Sequence, residues 1–177
     1  MVHHIDRWFQ RFIKGMSKAV EVICMISVGA IAVVTILAFV SRYILQSPII
    51  GTDEIALYLL VWITLLGAAL GIHKNDMVAL TLVKDRMNGK SLTVLNIILQ
   101  LIIFLFSLLG LWFGTIWLLS SSILEAVSAS LEIPLWIPFM IFPVSMLIMA
   151  VFSLNNIIKQ LKNREVSASE AGEGEST

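Results

Sequence analysis

Four stretches of the chain contain no Asp, Glu, Lys, Arg or His: residues 22–41, 55–72, 91–124 and 133–158. An α-helix rises about 1.5 Å per residue, so about 20 residues cross the roughly 30 Å of bilayer hydrocarbon. Each run is long enough to span. The runs are apolar on every face, whereas strands of a membrane barrel alternate apolar and polar residues. The pattern therefore predicts an all-α integral membrane protein with four transmembrane helices. The third run is longer than a bilayer requires, yet it holds no proline and ends in Ser120-Ser121-Ser122. It reads as one long helix to Leu124, tilted or projecting past the surface. Pro138 and Pro143 each remove an amide donor and are expected to bend the fourth.

The flanking segments differ from the spans. Over residues 1–21, Arg7, Arg11, Lys14 and Lys18 recur at helical spacing and form a basic stripe beside Trp8, Phe9, Phe12, Ile13 and Met16. Such an amphipathic helix suits the headgroup region, with Arg7, Trp8, Arg11, Phe12, Lys14 and Lys18 meeting anionic lipid. A partner-docking surface is the other reading. Asp76 is placed to cap a second interfacial helix from Met77 to Met87, stopped by Asn88-Gly89. Residues 159–177, rich in Ser, Glu, Ala and Gly, read as a disordered tail. The division is thus a basic helix (1–21), a four-helix membrane domain (22–158) and a tail.

Composition agrees: 58% of the 177 residues are hydrophobic and 14% charged, which excludes a soluble enzyme. Twelve bases against twelve acids look neutral, but the distribution is lopsided. Eleven Lys and Arg fall on the side of the termini and of the loop joining spans two and three; Arg42 alone falls opposite. The positive-inside rule places both termini in the cytoplasm. The opposite face keeps Asp53, Glu54, Glu125 and Glu132 against one base. Nothing in this balance calls for nucleic acid.

The spans lack the ionisable groups that ion-coupled carriers keep at membrane depth. His3, His4 and His73 lie outside the runs, so no histidine pair serves a haem, and Cys24 stands alone. No catalytic, cofactor-binding or metal-binding residue set is expected, nor an enzyme. Helix-packing devices are present instead. Gly67-x-x-x-Gly71 and Gly110-x-x-x-Gly114 allow close approach, and Asn96 and Gln100 share a face. The amides read either as a structural hydrogen bond or as part of a solute path.

The densest cluster runs from Arg42 to Tyr58. Arg42 closes span one, Pro48 sits in the turn, and Asp53-Glu54 opens span two at the favourable end of its dipole. Either these charges cap a self-contained hairpin, or some face a partner. With Arg42-Tyr43, Pro48, Glu54, Tyr58-Leu59 and Trp62, then Gly67-Ala68, His73-Lys74-Asn75-Asp76, Ile133-Pro134-Leu135-Trp136 and Pro143, the chain resembles the DctQ-like small membrane subunit of tripartite ATP-independent periplasmic (TRAP) transporters. The likeness covers roughly residues 20–160. Val144-Ser145 and Met77 depart from the usual pattern.

The resemblance implies an accessory permease subunit in the bacterial inner membrane. Its partners would be a large multi-span subunit, which carries solute and sodium, and a periplasmic substrate-binding protein. The solute would be an organic acid, of C4-dicarboxylate or sialic acid type. Arg42, Asp53, Glu54, Glu125 and Glu132 become candidates for contacting those partners. A membrane anchor for an oxidoreductase and an autonomous small transporter or channel are the alternative readings.

Overall fold

The computed structural model describes the backbone of residues 2–47, 49–74 and 89–173, and the side chains of residues 10–47, 49–74 and 94–160. The described residues are mostly helical, with the longest irregular stretch between Leu124 and Trp136. The helices are α1 (Val2–Tyr43), α2 (Thr52–Lys74), α3 (Gly89–Leu118), α4 (Ser121–Leu124), α5 (Trp136–Phe139) and α6 (Ile141–Glu173). Four segments are long and apolar enough to cross a membrane: Gln10–Tyr43, Thr52–Lys74, Val94–Leu118 and Trp136–Gln160.

The basic N-terminal segment and the first span form one helix of 42 residues, about 63 Å long. The change from charged to apolar residues at Glu21 marks a change of surroundings, not an end to backbone hydrogen bonding. The helix stops near Tyr43, where Gln46 takes a left-handed φ of 52° and Ser47 N–H donates to Ser41 O at 3.1 Å, which satisfies one of the carbonyls left open at the helix end. The interfacial helix expected at Met77–Met87 lies outside the described residues, as do the side chains of Arg7 and Trp8.

Spans three and four depart from the sequence reading at the same end. The third helix ends at Leu118 instead of continuing to Leu124. Ser120 adopts extended backbone, and its hydroxyl donates to Trp117 O at 2.7 Å. That local bond competes with the helix ladder. The fourth run is helical only from Trp136, and it breaks at Met140 between α5 and α6. Pro143 accounts for that break: it has no N–H to give Phe139 O, and its ring crowds that carbonyl. Pro138 sits in the first turn of α5, where amides have no helical acceptor in any case. At the other end α6 continues to Glu173, past Asn163, where composition suggests irregular chain. The Ala and Glu residues of that stretch are good helix formers.

The helices pack as an open layer in the order α1, α2, α6, α3. Burial reflects that order. Of the most apolar window of the span in α5–α6, 56% is buried, against 6%, 17% and 11% for α1, α2 and α3. The core joins Ile13 and Val20 of α1, Leu66, Ala69 and Ile72 of α2, and Met146, Met149 and Phe152 of α6. The α3–α6 seam is close because it is built from small residues. Gly110 lies against Met146 and Gly114 against Phe142. Ser107 and Ser145 are fully buried but donate to Ile103 O and Phe142 O of their own helices at 2.7 and 2.8 Å, so neither hydroxyl is left unpaired.

Candidate functional site

At the Arg42 end, the connections between helices form a folded cap. Arg42 Nη2 and Asp53 Oδ2 pair at 2.8 Å, with both side chains more than half exposed. Glu54, one residue further round the first turn of α2, points the other way. Its carboxylate accepts from Ser128 Oγ and, at 3.2 Å, from Ser130 N. Ser128 Oγ in turn accepts from Leu131 N at 3.2 Å. Residues 126–135 are tightened further by an antiparallel bridge between Val127 and Pro134, with Ser128 N donating to Ile133 O at 2.9 Å. Gly51, with φ of 90°, lies under Leu131. At that φ a side chain would be strained, and its Cβ would push the end of Leu131 aside. The cap is therefore one unit, with Glu54 as its tie.

Of the five charged candidates, two thus satisfy each other and one is turned inward. Glu125 and Glu132 remain exposed and unpaired among the described residues. Glu132 has a positive φ of 53°, so the loop holds its side chain at a sharp turn.

Beneath the cap, aromatic residues tie three helices together. Trp62 Nε1 donates to Pro138 O at 3.1 Å. Phe139 packs edge-on to Tyr58 with centroids 6.3 Å apart, and against Trp117 at 5.4 Å. Next to them a groove of about 430 Å³ opens between α2 and α3 over α6. Its lining includes Val61, Leu65, Phe113, Gly114, Trp117 and Phe142. The lining is apolar, which suits hydrocarbon and offers nothing to hold an organic acid.

The two glycine pairs have different fates. Gly110 and Gly114 are consumed by the α3–α6 seam. Around Gly67 and Gly71 no atom lies within 4 Å of where a Cβ would be. They belong to a face of α2 on which Leu57, Leu60, Val61, Thr64, Gly67 and Ala68 are all exposed. Asn96 and Gln100 also part company. Gln100 is buried, and its backbone and side-chain oxygens accept from Ser153 Oγ at 2.6 and 3.0 Å. Asn96 Oδ1 is buried with no partner among the described residues.

The Lys74 end has a polar layer that sequence reasoning missed. Gln10 Nε2 donates to Asn155 Oδ1 at 2.8 Å, and Lys74 pairs with Glu21 at 3.2 Å. Asn156 Nδ2 donates to Ile72 O at 2.7 Å, satisfying a carbonyl that the end of α2 would otherwise leave open. A signal for this layer did exist. Ser145, Ser153 and Asn156 fall within about 80° of arc on one helix face, inside a run that is otherwise apolar.

Fold and site together define a small multi-pass helical membrane protein whose polar contacts hold helices together. The family described as Tripartite ATP-independent periplasmic transporters, DctQ component, matches residues 31–163. The chain belongs to that family and is a transport component, not an enzyme. It is also similar to a Haemophilus influenzae protein described as a TRAP transporter small permease protein, with 32% identity over 72 residues. The aligned stretch is 41% of this chain and 45% of that protein, so it spans less than half of the relative.

Proposed function

We propose that this chain is the accessory small permease subunit of a sodium-driven, binding-protein-dependent TRAP transporter for organic acids, of C4-dicarboxylate or sialic acid type. It sits in the bacterial inner membrane with both chain ends in the cytoplasm. It widens the scaffold around the large subunit and helps dock the periplasmic binding protein. The observation that carries this reading is the open layer. Its α2 leaves Thr64, Gly67 and Ala68 exposed, with open space where a Cβ would stand at Gly67 and Gly71, a lane in which a helix of the large subunit can approach closely. Substitution there is sterically free within the chain, so its effect reads the partner. Gly67→Leu combined with Gly71→Leu is expected to leave the subunit folded while reducing co-purification of the large subunit at least ten-fold, about 1.4 kcal/mol. Undiminished co-purification would remove α2 as the seam.

Docking of the binding protein is assigned to the cap, where Glu125 and Glu132 are the unpaired charges. Glu125→Lys with Glu132→Lys is expected to raise the binding-protein concentration needed for half-maximal uptake several-fold, with the maximal rate retained. The effect should shrink as salt is added, because rim charges act through encounter. Uptake by reconstituted transporter at two ionic strengths measures it.

A further inference from the structure

Between Gln10 and Glu21, helix α1 presents three different faces. Ile13, Ser17 and Val20 share one and are buried, Ile13 completely. Arg11, Lys14 and Lys18 share the second and are all exposed. Phe12 and Ala19 lie on the third, with Phe12 56% exposed. Glu21, the described acid closest to them in sequence, is paired with Lys74. None of the three cations is in an ion pair among the described residues.

Two contacts set the course of this segment. Gln10 reaches Asn155, and Glu21 reaches Lys74. Those partners lie at one level of the layer, because Asn156, next to Asn155, donates to Ile72 O, two residues from Lys74. Gln10 and Glu21 are eleven residues apart in the chain, about 16 Å of helix. This part of α1 therefore sweeps across the ends of α2 and α6 instead of running on past them. That level is also where the apolar runs end, at His73 and Lys159.

We propose that this stretch of α1 is a binding surface for anionic phospholipid, with Arg11, Lys14 and Lys18 on headgroup phosphates and Phe12 on the adjoining acyl region. Charge complementarity supplies the attraction, and the level of the segment places it at the headgroups. An acidic protein partner would engage the cations alone; a lipid surface also covers Phe12. The proposal is independent of which transporter the chain serves. Each cation near an anionic surface contributes about a five-fold preference, so three give on the order of 100-fold.

The full chain, purified in neutral detergent, is equilibrated with equal amounts of phosphatidylglycerol and phosphatidylcholine, and bound lipid is counted by native mass spectrometry. Phosphatidylglycerol is expected to be retained preferentially. The preference is expected to disappear in R11Q/K14Q/K18Q and to survive in the charge-preserving R11K/K14R/K18R. Phe12→Ser is expected to weaken retention of both lipids. Equal retention by the natural chain, or a preference that survives the triple glutamine substitution, overturns the proposal. Displacement of the lipid by millimolar inorganic phosphate overturns it as well, because the stripe would then be a site for a free anion.

Discussion

Gly114→Val is expected to loosen α3 from α6. A Cβ at Gly114 would lie 2.5 Å from Cε1 and 2.6 Å from Cδ1 of Phe142, closer than any real carbon contact. Phe142 is followed by Pro143 in the first turn of α6, so its backbone has little room to withdraw, and the ring would be driven toward the apolar groove that it lines. Overpacking of this kind costs about 1–3 kcal/mol. Gly110 offers a graded comparison. A Cβ there meets Met146 Sδ at 2.8 Å, but a thioether at the end of a flexible side chain gives way more easily. Gly67→Val meets nothing and replaces a poor helix former. Unfolding of the full chain in one detergent should therefore rank Gly114→Val as most destabilised, Gly110→Val as intermediate and Gly67→Val as unchanged. Equal damage from Gly67→Val and Gly114→Val would mean that the tight seam is not α3–α6.

That ranking is invisible in the sequence, where both glycine pairs read alike. The charge-free runs locate the four membrane-crossing helices well, because hydrocarbon excludes ionised side chains whatever the fold. They do not reveal which helices are neighbours. In a bilayer every apolar face is acceptable to lipid, so hydrophobicity carries little information about packing. The placement of α6 in the interior depends instead on its serines and asparagines. A serine such as Ser153 is inconspicuous until Gln100 is seen opposite it. Charges mark the membrane boundary and not helix ends, which is why Glu21 divides the sequence but not α1. Pro138 shows the same gap: its effect depends on its distance from a helix start that lies within an unbroken apolar run. Asp53 and Glu54 are adjacent acids that point about 100° apart on the helix. Only the structure assigns one to Arg42 and the other to the serine loop.

Glu54→Ala is expected to release that loop. The substitution removes the acceptor for Ser128 Oγ and Ser130 N together. It strands the hydroxyl of Ser128, a residue only 5% exposed. Hydrogen bonds to an ionised acceptor contribute about 1.5–3 kcal/mol, so local opening of residues 126–135 should become on the order of 10- to 100-fold more frequent. Amide hydrogen exchange at Ser130, whose N–H donates to Glu54, reports that directly. Arg42→Ala supplies the contrast at the same end of the molecule. Its pair with Asp53 is exposed on both sides and is worth at most about 1 kcal/mol, so exchange at Ser130 should stay within a few-fold of the natural chain. The functional consequence follows from where the loop carries its charges. Glu125 and Glu132 flank the segment that Glu54 ties, so freeing the loop scatters both carboxylates while leaving them present. Glu54→Ala should then weaken docking of the binding protein as the charge reversals do, but without their strong salt dependence, because what is lost is fixed geometry. If Ser130 exchanges no faster in Glu54→Ala, the carboxylate is not what holds the cap together.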